Sequence, residues 1–191
     1  MGIDIHIGEI LARNARRYPT DVALIERVPA ENKRREIRWK QFDDAANRCA
    51  NALMKKGITK GDKVIHLMMN SIDWLIAYFG IVRTGAWVVP LNFRFTSDDI
   101  KYCVDTAEPK AMIFGEEFIE RIDAIKDAMP TIEQYIFVGK DLPSYAEPFE
   151  KVLEKSQPTP TNVELTYTDP CGLYFTSGTT GKPKPILLTH K

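Results

Sequence analysis

Residues 63–92 read Lys63-Val-Ile-His-Leu-Met-Met-Asn70-Ser-Ile-Asp-Trp-Leu-Ile-Ala-Tyr-Phe-Gly80-Ile-Val-Arg-Thr-Gly85-Ala-Trp-Val-Val-Pro-Leu-Asn92. Lys63 to Met69 is a short apolar run with strand character. Ser71 supplies a side-chain oxygen to cap a helix that runs to about Thr84. That helix is apolar almost all round, so it is a buried one. Gly85 closes it, and Ala86 to Leu91 reads as the next strand. A strand, a crossover helix and a second strand of these lengths favour parallel pairing and an α/β fold, a layered sheet flanked by helices.

The same alternation extends in both directions. Ile7, Ile10, Leu11, Ala15 and Tyr18 share one helical face, and Pro19 ends that helix. Val22 to Glu26 and Glu36 to Trp39 read as strands joined by the basic run after Glu31, a solvated hairpin tip. Phe42, Ala45, Ala46, Cys49 and Leu53 mark a second helix, stopped by Gly57. Thr96-Ser-Asp-Asp99 is a capping box opening a helix that Pro109 ends. Lys110 to Phe114 and Gln134 to Val138 read as strands bracketing a helix near Glu117 to Met129. Ser156 to Pro170 has the composition of a connecting loop, and Cys171 to Phe175 is a further apolar strand.

The 191 residues carry 26 Lys plus Arg and 26 Asp plus Glu, a formal net charge of zero. That balance excludes a broadly basic nucleic-acid binder and an acidic tail protein. Hydrophobic residues make up 44%, ordinary for a globular domain. Three cysteines without a C-x-x-C pair indicate reduced thiols and a cytoplasmic setting. The longest uncharged apolar stretch, Trp74 to Val82, is too short for a membrane span. The N-terminus shows no signal-peptide pattern.

Chemistry concentrates at residues 176–184, Thr-Ser-Gly-Thr-Thr-Gly-Lys-Pro-Lys. Glycines let the backbone turn tightly and aim N–H groups into one concavity, an anion nest. Hydroxyls add rotatable donors, and lysines bring charge to a polyphosphate. No acidic residue stands between Cys171 and Lys191. A Walker P-loop is excluded on spacing, because only Thr179 and Thr180 separate Gly178 from Gly181 and Lys182 precedes Pro183. Pro183 and Pro185 disfavour a following helix, and Ile186 to Thr189 reads as a strand. The unit is therefore strand, phosphate loop, strand, with a loop expected to be mobile without nucleotide. Candidate phosphate ligands are the hydroxyls of Thr176, Ser177, Thr179 and Thr180, the nest of Gly178 and Gly181, and the ammonium groups of Lys182 and Lys184. Lys184 is the stronger of the two lysines. His190 and Cys171 read as structural, and Trp74, Tyr78 and Phe79 as core.

Leu173 to Lys184 resembles, over twelve positions, the phosphate-loop signature of the AMP-forming acyl-CoA synthetases, luciferases and peptide-synthetase adenylation domains. Asn70-Ser71, Arg83 to Asn92, Thr96 to Asp99 and Leu188 to Lys191 fit the same family. One position departs: Pro185 stands where members usually carry glycine. The resemblance implies the N-terminal part of the large domain of an adenylate-forming enzyme, with 1–191 a partial domain ending just after the loop. It implies ATP-dependent activation of a carboxylic acid, a fatty or related acyl acid, then transfer to coenzyme A with release of AMP and pyrophosphate. An amino-acid or aryl-acid adenylation domain and a non-catalytic nucleotide-binding module are the alternatives. ATP, Mg2+ and coenzyme A are the implied cofactors, and the adenylation lysine is expected outside residues 1–191. Alone, such a piece is expected to be inactive, and to self-associate or be marginally stable.

Overall fold

The structure is a computed structural model that describes residues 5–176 and 181–191. In chain order its elements are α1 (Ile7–Arg17), β1 (Val22–Val28), β2 (Lys33–Arg38), α2 (Trp39–Lys55), β3 (Lys63–Leu67), α3 (Ile72–Arg83), β4 (Trp87–Pro90) and α4 (Ser97–Ala107). They continue through β5 (Ala111–Gly115), α5 (Ile119–Asp123), β6 (Gln134–Val138), β7 (Glu147–Pro148), α6 (Phe149–Glu154), β8 (Pro170–Thr176) and β9 (Lys184–Thr189). β1 and β2 form a separate antiparallel hairpin. The remaining strands form one sheet in the order β7-β6-β5-β3-β4-β8-β9. Every pairing in it is parallel except β8 with β9.

The expected strand–helix–strand unit is present. The Ser71 side chain accepts from the Trp74 N–H at 3.0 Å and so opens α3. Gly85, with φ of +75°, turns the chain out of it into β4. β3 lies between β4 and β5, so both of its edges are paired, and helices cover both faces, so its residues alternate between two cores. Val64 points to the side packed by α1, α2, α3 and α6, with Leu11, Phe42, Cys49, Ile76 and Ile81. Ile65 and Leu67 point to the side packed by α4 and α5, with Ile100, Val104, Phe114 and Ile122. Burying side chains of this size contributes about 1.5–3 kcal/mol each.

α2 and α3 approach closely because α3 carries Gly80 where they cross: a Cβ there would lie 2.4 Å from Cys49 Sγ. Beside that crossing Arg83 is buried and fully engaged. Its guanidinium donates to Asp43 Oδ1 at 2.5 Å, Asn47 Oδ1 at 2.7 Å and the Gly8 carbonyl at 3.1 Å. One charge thereby ties α1, α2 and α3 together.

The capping box forms as expected, Thr96 and Asp99 bonding reciprocally at the start of α4. Other expectations need correction. The expected helix over Glu117 to Met129 is three short pieces: 3-10 turns at Glu116–Phe118 and Lys126–Ala128 flank α5. Bonds from residue i to i−3, such as Ala128 N–H to the Ile125 carbonyl, close its turns. Separate turns still bury Phe118, Ile122 and Met129, so the apolar period did not require one helix. Trp39 begins α2 rather than ending a strand, and Ile10 and Tyr18 are exposed rather than on the buried face of α1. β7 and α6 had no counterpart in the sequence reading. The three cysteines are free and buried.

Candidate functional site

The hydroxyl- and lysine-bearing loop spans β8 and β9. β8 is held in the sheet through Val88 opposite Gly172, and β9 runs back along it from Lys184 opposite Thr176 to Thr189 opposite Pro170. The two strands of the expected strand, loop, strand unit thus pair antiparallel, and β8, parallel to β4, ends at Thr176 at the carboxyl edge of the sheet. Ligand crevices of α/β sheets lie at that end. Pro185 sits opposite Phe175 in β9, the outermost strand, where a missing N–H is tolerated.

At the mouth of the loop, the Thr176 hydroxyl donates to the Lys184 carbonyl at 3.4 Å, closing the hairpin. Thr176 and Lys184 are both exposed. Gly181 has φ of +89°, a left-handed backbone that favours glycine. The Lys182 ammonium lies 5.0 Å from the centroid of the Tyr102 ring on α4, a cation–π contact that seats the descending arm of the loop. Tyr102 was not singled out from the sequence, because nothing local links α4 to residue 182. Ser177, Gly178, Thr179 and Thr180 lie outside the described residues, as does the expectation of mobility at the loop tip.

Beside the hairpin, the carboxyl ends of β3 and β4 border a cleft of about 510 Å³ lined by Met68, Met69, Asn70, Trp74, Leu91, Asn92 and Phe93. Trp74 was read as core, and it both packs and faces this cleft. Its other face stacks on Tyr78 with ring centroids 5.4 Å apart. Tyr78 reaches across to β8, its hydroxyl 2.8 Å from that of Tyr174. Burial, reinforced by this bond, pushes the Tyr78 phenol above its ordinary pKa. His66 is fully buried beneath Trp74, and neither ring nitrogen has a hydrogen-bond partner. Burial pulls its pKa down to about 3, so the ring is neutral.

His190, read as structural, is indeed packed away from the loop. It follows β9 at the opposite end of the hairpin and lies against His6. Cys171 is buried in β8, and burial raises its thiol pKa, as expected for an inert core group. Among the described residues no three His, Cys, Asp or Glu side chains converge to hold a metal, and no helix is long and apolar enough to cross a membrane.

Comparison with known proteins agrees with this architecture. The chain is 33% identical over 189 residues to the long-chain-fatty-acid–CoA ligase FadD13 of Mycobacterium tuberculosis, covering 97% of this chain and 35% of that protein. It is 31% identical over 158 residues to a 3-hydroxybenzoate–CoA/4-hydroxybenzoate–CoA ligase of Thauera aromatica, covering 82% and 30%. Its backbone superposes on the crystal structure of the anthranilate CoA ligase AuaEII in complex with anthranoyl-AMP with a TM-score of 0.91. That match has 27% identity and covers 100% of this chain and 36% of that one. The chain therefore spans about a third of the length of the relatives it matches. The family model for AMP-binding enzymes matches residues 11–191, and with the hairpin, loop and flanking sheet in place the chain belongs to that family, as part of the N-terminal region of an adenylate-forming enzyme.

Proposed function

We propose that residues 176–184 hold the β- and γ-phosphates of ATP while a carboxylic acid is adenylated by the enzyme to which this chain belongs. A carboxylate oxygen attacks the α-phosphorus, the bond to the β-phosphate oxygen breaks, and pyrophosphate departs. The coenzyme A sulfur then attacks the acyl carbon of the adenylate, releasing AMP and leaving a thioester. The observation that carries this reading is the hairpin: a loop of glycines, hydroxyls and two lysines, free of acidic residues, framed by paired strands at the carboxyl edge of the sheet. Lys184 and the loop hydroxyls oppose the charge that grows on departing pyrophosphate, and fixed donors do so without reorganising. Lys182, seated on Tyr102, holds the loop's second arm and adds charge. When Mg2+ accompanies the nucleotide it neutralises further phosphate charge, and the loop hydroxyls are the groups on this chain that would face it.

The similarity to a long-chain-fatty-acid–CoA ligase over 97% of the chain supports a fatty or related acyl acid as the substrate. An aryl acid is the second reading, and the hydroxybenzoate and anthranilate CoA ligases among its relatives favour it. In the full-length enzyme, Lys184→Ala or Thr179→Ala is expected to slow acid-dependent pyrophosphate exchange by about ten- to a thousand-fold, with acid affinity little changed. Wild-type rates in both variants would overturn the assignment. A panel of fatty and aryl acids in the same assay separates the two substrate classes.

A further inference from the structure

The N-terminus of α1 is capped by two imidazoles from opposite ends of the chain. His6 Nδ1 accepts the Glu9 N–H at 3.3 Å, and His190 Nδ1 accepts the Ile7 N–H at 3.4 Å. The rings meet edge to face with centroids 5.6 Å apart. An imidazole accepts at Nδ1 only when that nitrogen carries no proton, so both rings must be neutral with hydrogen on Nε2. His190 is 7% exposed, and its Nε2 has no hydrogen-bond partner. Caps are normally supplied by Asp, Asn, Ser or Thr, which do not become cations under mild acid. These two do.

We propose that His6 and His190 form a proton-sensitive latch that docks α1, and with it the start of the chain, onto the segment that follows β9. Protonation removes the acceptor lone pair and sets a positive charge against the positive end of the helix. The charged surroundings act in both directions: Glu9 and Asp169 favour the cations, whereas Arg83, Lys60 and the neighbouring imidazole oppose them. Facing His6 are the Glu9 carboxylate and the buried Arg83 guanidinium, the latter already committed to Asp43. Facing His190 are His6 and the Lys60–Asp169 ion pair, and the Asp169 carbonyl accepts the His190 N–H at 3.1 Å. Burial is the largest influence on both rings and lowers both pKa values, that of His190 to about 4. His6 also lines a cavity of about 290 Å³ with Asp43, Asn47 and Arg83, which gives protons a route to the latch.

The sign follows from linkage. In the undocked state each ring titrates near its ordinary value, about 6.5, whereas the docked rings resist protonation. Docking is therefore complete above pH 6.5 and weakens as the pH falls below it. Each titrating ring contributes about a tenfold loss in the docking equilibrium per pH unit.

Amide hydrogen exchange of the full-length enzyme at pH 7, 6 and 5, corrected for intrinsic rates and followed in peptides from α1 and β5, tests the latch. Protection in α1 is expected to fall about ten- to a hundred-fold between pH 6 and 5 while β5 keeps its protection. In the His6→Asn/His190→Asn variant, which retains two acceptors that do not titrate, that fall is expected to disappear. An α1 whose protection does not change, changes equally in the double variant, or falls together with β5 overturns the proposal. Nitrogen-15 shifts of the wild-type imidazoles give a check that needs no variant. The latch requires both rings in the Nε2–H form at pH 7, and a ring protonated on Nδ1 contradicts it.

Discussion

β3–α3–β4 and β8–loop–β9 are both two strands and a connection in one sheet, yet they are built to opposite specifications. In the first, the connection is a helix that buries Ile72, Ile76, Ala77, Ile81 and Val82 against the sheet and α2, with Trp74, Leu75, Tyr78 and Phe79 half-buried. Gly80 allows contact closer than any side chain would, and Arg83 is anchored by three neighbours. In the second, the connection is a loop of polar groups and glycine. The returning strand β9 is exposed along its whole length, with Ile186, Leu187 and Leu188 each about 45% exposed. Packing concentrates in the first unit, and Thr176, Lys182 and Lys184, groups suited to an anion, are exposed in the second. Residues placed to meet a ligand contribute little packing, because their partner is outside the fold.

That contrast has measurable consequences. Arg83→Met strands the Asp43 carboxylate and is expected to lower unfolding free energy in urea by about 3–5 kcal/mol. Lys184→Met, at the exposed hairpin, is expected to stay within about 0.5 kcal/mol of wild type. Equal losses would erase the distinction.

Acid should act next most strongly on the packed unit. His66 is neutral in the fold, with its pKa lowered to about 3 by burial, and protonates more readily once unfolded. Its contribution is present in full above pH 6.5 and is lost at about 1.4 kcal/mol per pH unit as the pH falls toward 3. His66→Leu should flatten the pH dependence of the urea midpoint across that window. An unchanged slope would mean that His66 is hydrated or paired in solution.

Gly80→Ala should cost about 1–3 kcal/mol by forcing α2 and α3 apart, read by the same urea titration. The smallest expected effect separates the thiols. Burial pushes Cys49 and Cys103 up to about 12 and raises Cys171 as well. Under native conditions all three should react slowly with a disulfide reagent. Cys171 is expected to lead by at least about tenfold, because β8 opens with its exposed partner β9 before the α2–α3 layer does. Reaction of Cys49 first would reverse the ranking of the two units.

The packed unit was the easier to read from sequence. Ser71, Gly85 and the uninterrupted apolar helix between them are local signals, and each acts through its own backbone. The capping box at Thr96 is local in the same way. Periodicity failed where several short turns satisfy it as well as one helix does, over Glu116 to Met129. α6 is short and begins directly after Pro148, in a stretch between Val138 and Ser156 to which the sequence reading assigns no element. At the loop, composition alone singled out the residues proposed to meet phosphate, since glycines, hydroxyls and lysines without acid have few other uses together. The contacts that seat that chemistry were not legible. Tyr102 meets Lys182, Tyr78 meets Tyr174 and His6 meets His190 only after the chain has folded, and no spacing rule connects residues so far apart.

The β8–β9 hairpin is proposed to present a polyphosphate-binding loop. The most direct measurement is a titration of the nitrogen-15-labelled chain with inorganic tripolyphosphate, followed by amide shifts, in wild type and in Lys182→Ala/Lys184→Ala. Phosphate contacts alone must offset the ordering of loop and ligand, so a dissociation constant in the millimolar range is expected. Shifts should be confined to residues 176–184 and their neighbours on Tyr102 and Phe175, and binding should weaken about tenfold or more without the two lysines. Shifts elsewhere on the chain, or equal binding by the double variant, would show that the loop is not the polyphosphate site.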